Sequence, residues 1–221
     1  MIDPHRGRED PHASEDTRTA GEPLETAETA VVLVHGRGAT ARSILGMTAA
    51  FHREGVAYLA PQAAGNTWYP HSFLEPVGRN EPGRTSGLEA IADALEVATD
   101  ADIPLECILI LGFSQGACLA SEFVARNPGS YGGLAALSGG LIGESIDPDD
   151  YEGNLERMPA FFGCSDVDPH IPVERVHESA AVFEQLRADV TKRLYPGMGH
   201  GINDDEIEYV STMLETLVDA R

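Results

Sequence analysis

From residue 30 onward the chain alternates short runs, most of them apolar along their whole length, with longer stretches of helical periodicity, and no other feature narrows its possible folds as far. The runs are AVVLV at 30–34, VAYLA at 56–60, CILIL at 107–111, GLAAL at 133–137, PAFFG at 159–163 and VTKRLY at 190–195. A strand that is apolar along its length must be covered on both faces, as in a parallel sheet between helices, whereas a half-exposed strand would alternate apolar and polar residues. The spacing between the runs predicts helices at about 41–54, 84–99, 115–127, 173–188 and 203–220. In the second, Leu88, Ile91, Leu95 and Ala98 share one face while Glu89, Asp93 and Glu96 fall largely on the other. In the last, Ile207, Val210, Met213, Leu214 and Leu217 form the inward stripe. This order predicts an α/β fold: one open, mostly parallel sheet of about six strands with helices on both faces.

The 221 residues suit one domain, assigned to 29–221, large enough to bury its core without disulfides or metals. Residues 1–28 carry eight acids and three arginines with no hydrophobic periodicity, and are expected to be a disordered or loosely docked tail. His5 and His12, in a repeated Asp-Pro-His pattern, are expected to be solvated residues of that tail rather than metal ligands. No run approaches the roughly 18 residues of a membrane-spanning helix, and the N-terminus has no apolar segment of the kind a secretory signal needs.

Charge narrows the partners. The chain has 36 Asp and Glu against 15 Lys and Arg, for a net −21, and Lys192 is its single lysine. That balance excludes the basic footprint needed for nucleic acid or an anionic membrane. Such a surface repels itself in dilute buffer, whereas in molar salt the Debye length falls to about 3 Å and the repulsion is screened. Acid excess with almost no lysine predicts a halophilic, cytoplasmic protein. Cys107, Cys118 and Cys164 are odd in number, lie in or beside apolar runs and show no metal-ligand spacing, as expected of reduced thiols in a cytoplasm.

In an open α/β sheet, active sites form at the carboxyl ends of the strands. Directly after CILIL stands Gly112-Phe113-Ser114-Gln115-Gly116, a G-x-S-x-G turn between strand and helix. Glycines two places either side of the serine let strand and helix approach, and the turn lifts the Ser114 hydroxyl to the tip of the sheet as a candidate nucleophile. A serine needs a positioned base. Of the histidines, His52 and His177 fall within predicted helices and His71 and His170 are loop candidates. His200 lies in the glycine-rich loop YPGMGHG between the last run and the last helix. Asp168, in GCSDVDPHIP, follows the preceding run, and the order Ser114, Asp168, His200 is the one this fold class uses for a triad. Asp166 competes with Asp168, as do Asp147, Asp149 and Asp150 in an earlier loop; Pro169 favours Asp168 by fixing the backbone at the strand exit.

The loop His35-Gly36-Arg37-Gly38-Ala39-Thr40 follows the first run. It offers the backbone N–H of Arg37, with that of Gln115, as an oxyanion hole. His35 is expected to brace this loop. The Arg37 side chain either reaches the cleft, where it would bind a carboxylate, or points outward and contributes only its backbone. Trp68, Phe73 and Leu74, and Met198 beside His200, are candidate pocket walls or satellite core.

Together VLVHGRGAT, LGFSQGA, SDVDPHIP and YPGMGHGI resemble the phospholipase/carboxylesterase family of α/β-hydrolases, which includes acyl-protein thioesterases, over about residues 30–220. The resemblance implies a compact hydrolase of esters or thioesters that needs no metal or organic cofactor. Its triad maps onto Ser114, Asp168 and His200 and its oxyanion hole onto Arg37 and Gln115. The stretch 141–158 is too short for a lid domain, so a small, open site for small acyl substrates is expected. The alternatives are a ligand-binding protein that has lost turnover, or a serine hydrolase directed at lactones or peptides.

Overall fold

The structure, a computed structural model, describes residues 10–220. His5 lies outside them. Among the described residues seven strands form one sheet: β1 (Arg18–Gly21), β2 (Thr29–Val34), β3 (Val56–Ala60), β4 (Ile108–Phe113), β5 (Gly133–Leu137), β6 (Pro159–Ser165) and β7 (Asp189–Tyr195). Their spatial order is β1-β3-β2-β4-β5-β6-β7, and every pair is parallel except β1 with β3. The helices are α1 (Ala41–Leu45), α2 (Gly83–Asp100), α3 (Gln115–Arg126), α4 (Val173–Gln185) and α5 (Asp204–Asp219). The first is shorter than the pattern to residue 54 predicts. It stops at Leu45, and the chain tightens into a 3₁₀ stretch over Gly46–Ala50, so His52 lies in a loop.

The unbroken apolar runs are explained by two cores. Along β2, Ala30, Val32 and Val34 enter the larger core, which contains Ile91 of α2, Leu119 of α3 and Val182 of α4. Val31 and Leu33 enter the second, with Ile44 of α1 and Val210 and Leu214 of α5. Alternate side chains of one strand thus serve opposite faces, and both faces are covered. Helix α3 is buried from Gln115 to Ala125, including Glu122. That buried carboxylate is bound by Arg84, Arg126, the Ile142 N–H and the Tyr151 hydroxyl, the compensation a charge out of water requires.

The expected loose tail is corrected from residue 10 onward. β1 pairs antiparallel with β3, Arg18 opposite Ala60 through Gly21 opposite Ala57, so that β3 is no longer the sheet's edge. Asp10 and His12 are buried. The short segment RTAG is held by main-chain ladder bonds and carries no apolar pattern of its own, which is why periodicity misses it.

The order of strands reverses between β2 and β4, and ligand crevices open outside the carboxyl ends of strands at such a point. Register brings the exits together: Val34 is opposite Gly112, Phe113 opposite Leu137, Leu137 opposite Gly163, and Ser165 opposite Tyr195. The loops after β2, β4, β6 and β7 therefore share one rim.

Candidate active site

Ser114 sits between β4 and α3 at φ 56° and ψ −120°, a left-handed conformation unusual for a side-chain-bearing residue. Its N–H bonds the Leu137 carbonyl at 2.9 Å, and its carbonyl accepts the Cys118 N–H at 3.0 Å, which closes the first turn of the helix. The flanking glycines are steric necessities. A Cβ at Gly112 would strike Gly116, and one at Gly116 would strike the Val34 carbonyl of β2. A serine at a helix N-cap commonly turns its oxygen back onto the helix N–H groups. Ser114 makes no such cap, and its Oγ instead lies 2.9 Å from His200 Nε2.

His200 stands on the loop between β7 and α5, where Gly197 and Gly199 both take positive φ. The loop is tied down from three sides. The Gly197 N–H donates to Asp166 at 2.8 Å, the Gly199 N–H to Ser165 Oγ at 3.0 Å, and Ser138 Oγ donates to the Gly201 carbonyl at 3.1 Å. His200 Nδ1 lies 2.7 Å from Asp168 Oδ2. A carboxylate only accepts, so Nδ1 carries the proton and Nε2 presents its lone pair to the Ser114 hydroxyl. The other oxygen of Asp168 accepts the His170 and Ile171 N–H groups at 2.8 and 3.1 Å. Asp168 thus meets the imidazole, while Asp166 braces the loop that carries it. The rings of Phe113 and His170 flank His200 at 5.2 and 4.8 Å.

Gly36 packs so closely on the elbow that a Cβ there would lie 3.3 Å from that of Ser114, which brings the next backbone unit, Arg37, beside the serine. Gln115 is the first residue of α3, where a backbone N–H has no partner within the helix. Its side chain is a clamp: Oε1 accepts the Trp68 N–H at 3.0 Å and Nε2 donates to the Tyr69 carbonyl at 2.8 Å. The Arg37 side chain turns onto the same strap and donates to the carbonyls of Tyr69, Pro70 and His71 at 2.8, 3.0 and 2.7 Å. His35 is fully buried. Its Nδ1–H bonds the Gly36 carbonyl at 2.8 Å and its Nε2 accepts the Ala63 N–H at 3.1 Å. Burial lowers its pKa, although the Gly36 bond opposes the shift, so the ring braces the loop in its neutral form.

A cavity of about 450 Å³ opens on Ser114 and His200, and Phe73, itself part of the larger core, lines it. The other three candidates do not line it and take the packing alternative. Trp68 is fully buried, with its indole N–H on the His35 carbonyl at 2.8 Å. Leu74 packs against the larger core, and the Met198 sulfur faces Asn203 Nδ2 at 2.9 Å. In their place stand Arg37, Tyr69, His71, Cys118, His170 and Ile171. The thiol of Cys118 is pushed up to about 12 by burial, so it is a neutral wall and not a second nucleophile. The histidines are visible in the sequence as loop residues, but nothing local tells which way they face. Among the described residues no cluster of three or more metal-ligating side chains is present.

The profile of the phospholipase/carboxylesterase family matches residues 21–218. A phospholipase/carboxylesterase from Dyadobacter fermentans superposes with a TM-score of 0.87 at 40% identity, over 93% of this chain and 97% of that one. Acyl-protein thioesterase 1 of Saccharomyces cerevisiae is 31% identical over 136 residues, so the chain spans about 60% of the length of that curated relative and the match covers 60% of this chain. The Bacillus cereus carboxylesterase, at 17% identity and a TM-score of 0.73 over 94% of this chain and 97% of that one, shares the fold.

Proposed function

The chain belongs to the phospholipase/carboxylesterase family of α/β-hydrolases, and from that premise we propose that it is a serine hydrolase cleaving esters or thioesters of small acyl groups through an acyl-Ser114 intermediate. The observation that carries this is the unbroken relay from Ser114 Oγ to His200 Nε2 at 2.9 Å and from His200 Nδ1 to Asp168 Oδ2 at 2.7 Å. Ser114 Oγ attacks the carbonyl carbon as His200 takes its proton. The backbone N–H groups of Arg37 and Gln115 receive the negative charge that develops on the carbonyl oxygen. Collapse expels the alcohol or thiol, which leaves with the proton from His200. Water, deprotonated by His200, then attacks the acyl carbon, and the second collapse releases the acid and restores the serine. Asp168 holds the imidazole in its tautomer and stabilises the cation formed at each attack. The chemistry is complete with these side chains and water.

Residues 10–28 dock onto a single catalytic domain formed by 29–221, and the net charge of −21 suits a cytoplasm rich in salt. Among the described residues no helix is long and apolar enough to cross a membrane. The test is hydrolysis of a short-chain p-nitrophenyl ester in molar KCl, where Ser114→Ala should be slower than wild type by about 10⁴-fold or more. A wild type indistinguishable from that variant ends the proposal. Unfolding no easier in dilute buffer than in molar KCl would remove the salt adaptation.

A further inference from the structure

We propose that the cleft selects esters or thioesters that themselves carry a carboxylate, and that the Arg37 side chain is the residue that selects them. The proposal rests on the hydrolase reading above and adds the class of substrate.

The chain has 36 acidic and 15 basic residues. Among the described residues Arg53, Arg79, Arg84, Arg126, Arg175 and Arg193 each have a carboxylate within 4.0 Å, whereas Arg18, Arg42, Arg157 and Arg187 do not. Arg37, which lines the cleft beside Ser114, has none among the described residues. Its guanidinium is fixed by three carbonyls, whose dipoles orient the charge without cancelling it. Three of the five N–H donors of a guanidinium are used in this way, and two are left over.

The rest of the wall is consistent with an anionic guest. His71 and His170 add imidazoles, Ser72 adds a hydroxyl, and among the described residues no Asp or Glu lines the cavity. Asp168 is nearby, but its side chain is wholly covered and its oxygens are occupied by His200, His170 and Ile171. Among the described residues the cleft is therefore an acid-free island on an acidic molecule. Salt sharpens the consequence. At molar ionic strength charges interact over only about 3 Å, so the −21 surface neither steers nor repels a substrate at a distance, and discrimination falls to direct contact. A guanidinium held rigidly at the cleft wall offers a carboxylate such a contact.

The experiment compares charged and neutral esters in molar KCl. On the acyl side these are the mono-p-nitrophenyl ester of adipate and its methyl ester; on the alcohol side, 4-acetoxybenzoate and 4-acetoxybenzamide. Wild type should favour the anion in kcat/KM in at least one pair, and Arg37→Gln should lower that preference by about tenfold or more. Turnover of the neutral partner should fall too, but less, since the shorter amide side chain holds the strap with fewer bonds. An equal fall for both members of each pair, or unchanged preferences, overturns the proposal. Should the variant not fold, wild type alone decides: adipate should raise its melting temperature and inhibit it competitively, and adipamide should do neither. Equal effects of the two overturn the proposal. A wild type that hydrolyses none of the four esters refutes the hydrolase reading instead, and the thermal shifts then report on the anion site by themselves.

Discussion

His200 and His12 come to the region of the cleft from opposite ends of the chain, and the two segments that carry them use the same ring in opposite ways. The His200 side chain is 19% exposed and sits on a loop with two positive-φ glycines. One nitrogen meets a carboxylate and the other a hydroxyl. His12 is 5% exposed, and both of its nitrogens are bound to backbone: Nδ1 accepts the Ala64 N–H at 3.0 Å and Nε2–H donates to the Trp68 carbonyl at 2.9 Å. Its own N–H bonds Ser86 Oγ at 2.9 Å, and that hydroxyl donates to Asp10. The Nε2 of His200 faces a hydroxyl and its Nδ1 a carboxylate, whereas both nitrogens of His12 are spent on backbone groups. The neighbours, not the residue type, decide that one ring can relay protons and the other can only hold structure.

What His12 holds is the back of the cleft. Trp68, gripped through its carbonyl, also donates its N–H to Gln115, whose own backbone N–H is a proposed oxyanion donor, and Tyr69 binds both Gln115 and Arg37. One residue, Trp68, separates His12 from Gln115.

The largest expected effect that would break the contrast is at His200. His200→Ala should lower kcat by about 10⁴-fold or more, and the Ser114→Ala/His200→Ala double variant should lose no more than either single one, because the two act as a unit. His12→Ala should lower kcat/KM by about 10- to 100-fold through displaced loops. It should also destabilise the fold by about 2 kcal/mol as two buried backbone groups lose partners. Imidazole added to that variant should restore part of both the rate and the melting temperature. A loss as large as that of His200→Ala would give His12 a part in the chemistry, and no loss would sever the arm from the site.

The smallest effect probes the foot of the His200 loop. There Glu206 Oε2 accepts the Asn203 N–H at 2.8 Å, while Oε1 is buried without a partner among the described residues. Burial raises the Glu206 carboxyl to about 7 from the usual 4.5. Between those values the folded chain keeps a proton that the unfolded chain has released, so this group makes stability fall as pH rises from about 4.5 to 7, and the whole penalty is present above 7. Glu206→Gln keeps the capping geometry and removes the titration. It should raise the melting temperature at pH 8, by a few degrees, relative to any change at pH 4.5. Equal shifts at both pH values would show that the carboxyl is not the titrating group.

Both the elbow and the His200 loop were legible because their requirements are local. Gly112 and Gly116 are there because no side chain fits, and the apolar runs mark where strands end and the loops at the rim begin. The choice between Asp166 and Asp168 was less legible: both follow β6, and only packing sends one to the imidazole and the other to Gly197. For Trp68, Leu74 and Met198 the sequence leaves wall and core both open, for a related reason. An apolar side chain in a loop can face the cleft or the core, and the Trp68 indole is drawn inward by the His35 carbonyl. The segment from residue 10 was illegible because what orders it is polar and remote. His12 bonds Ala64, Trp68 and Ser86, which are 52, 56 and 74 residues away.

By itself, then, the amino-acid order determined a strand–helix alternation covered on both faces, a strained serine turn, and the sequence of reactive side chains along the rim. These follow from periodicity and from steric limits within a few residues. Only the tertiary structure decided which acid meets His200, that Arg37 lines the cleft with no carboxylate partner among the described residues, and that the N-terminal arm bonds the strap behind the site. Those outcomes depend on hydrogen-bond partners and uncompensated charges brought together from distant parts of the chain, and no local pattern records them.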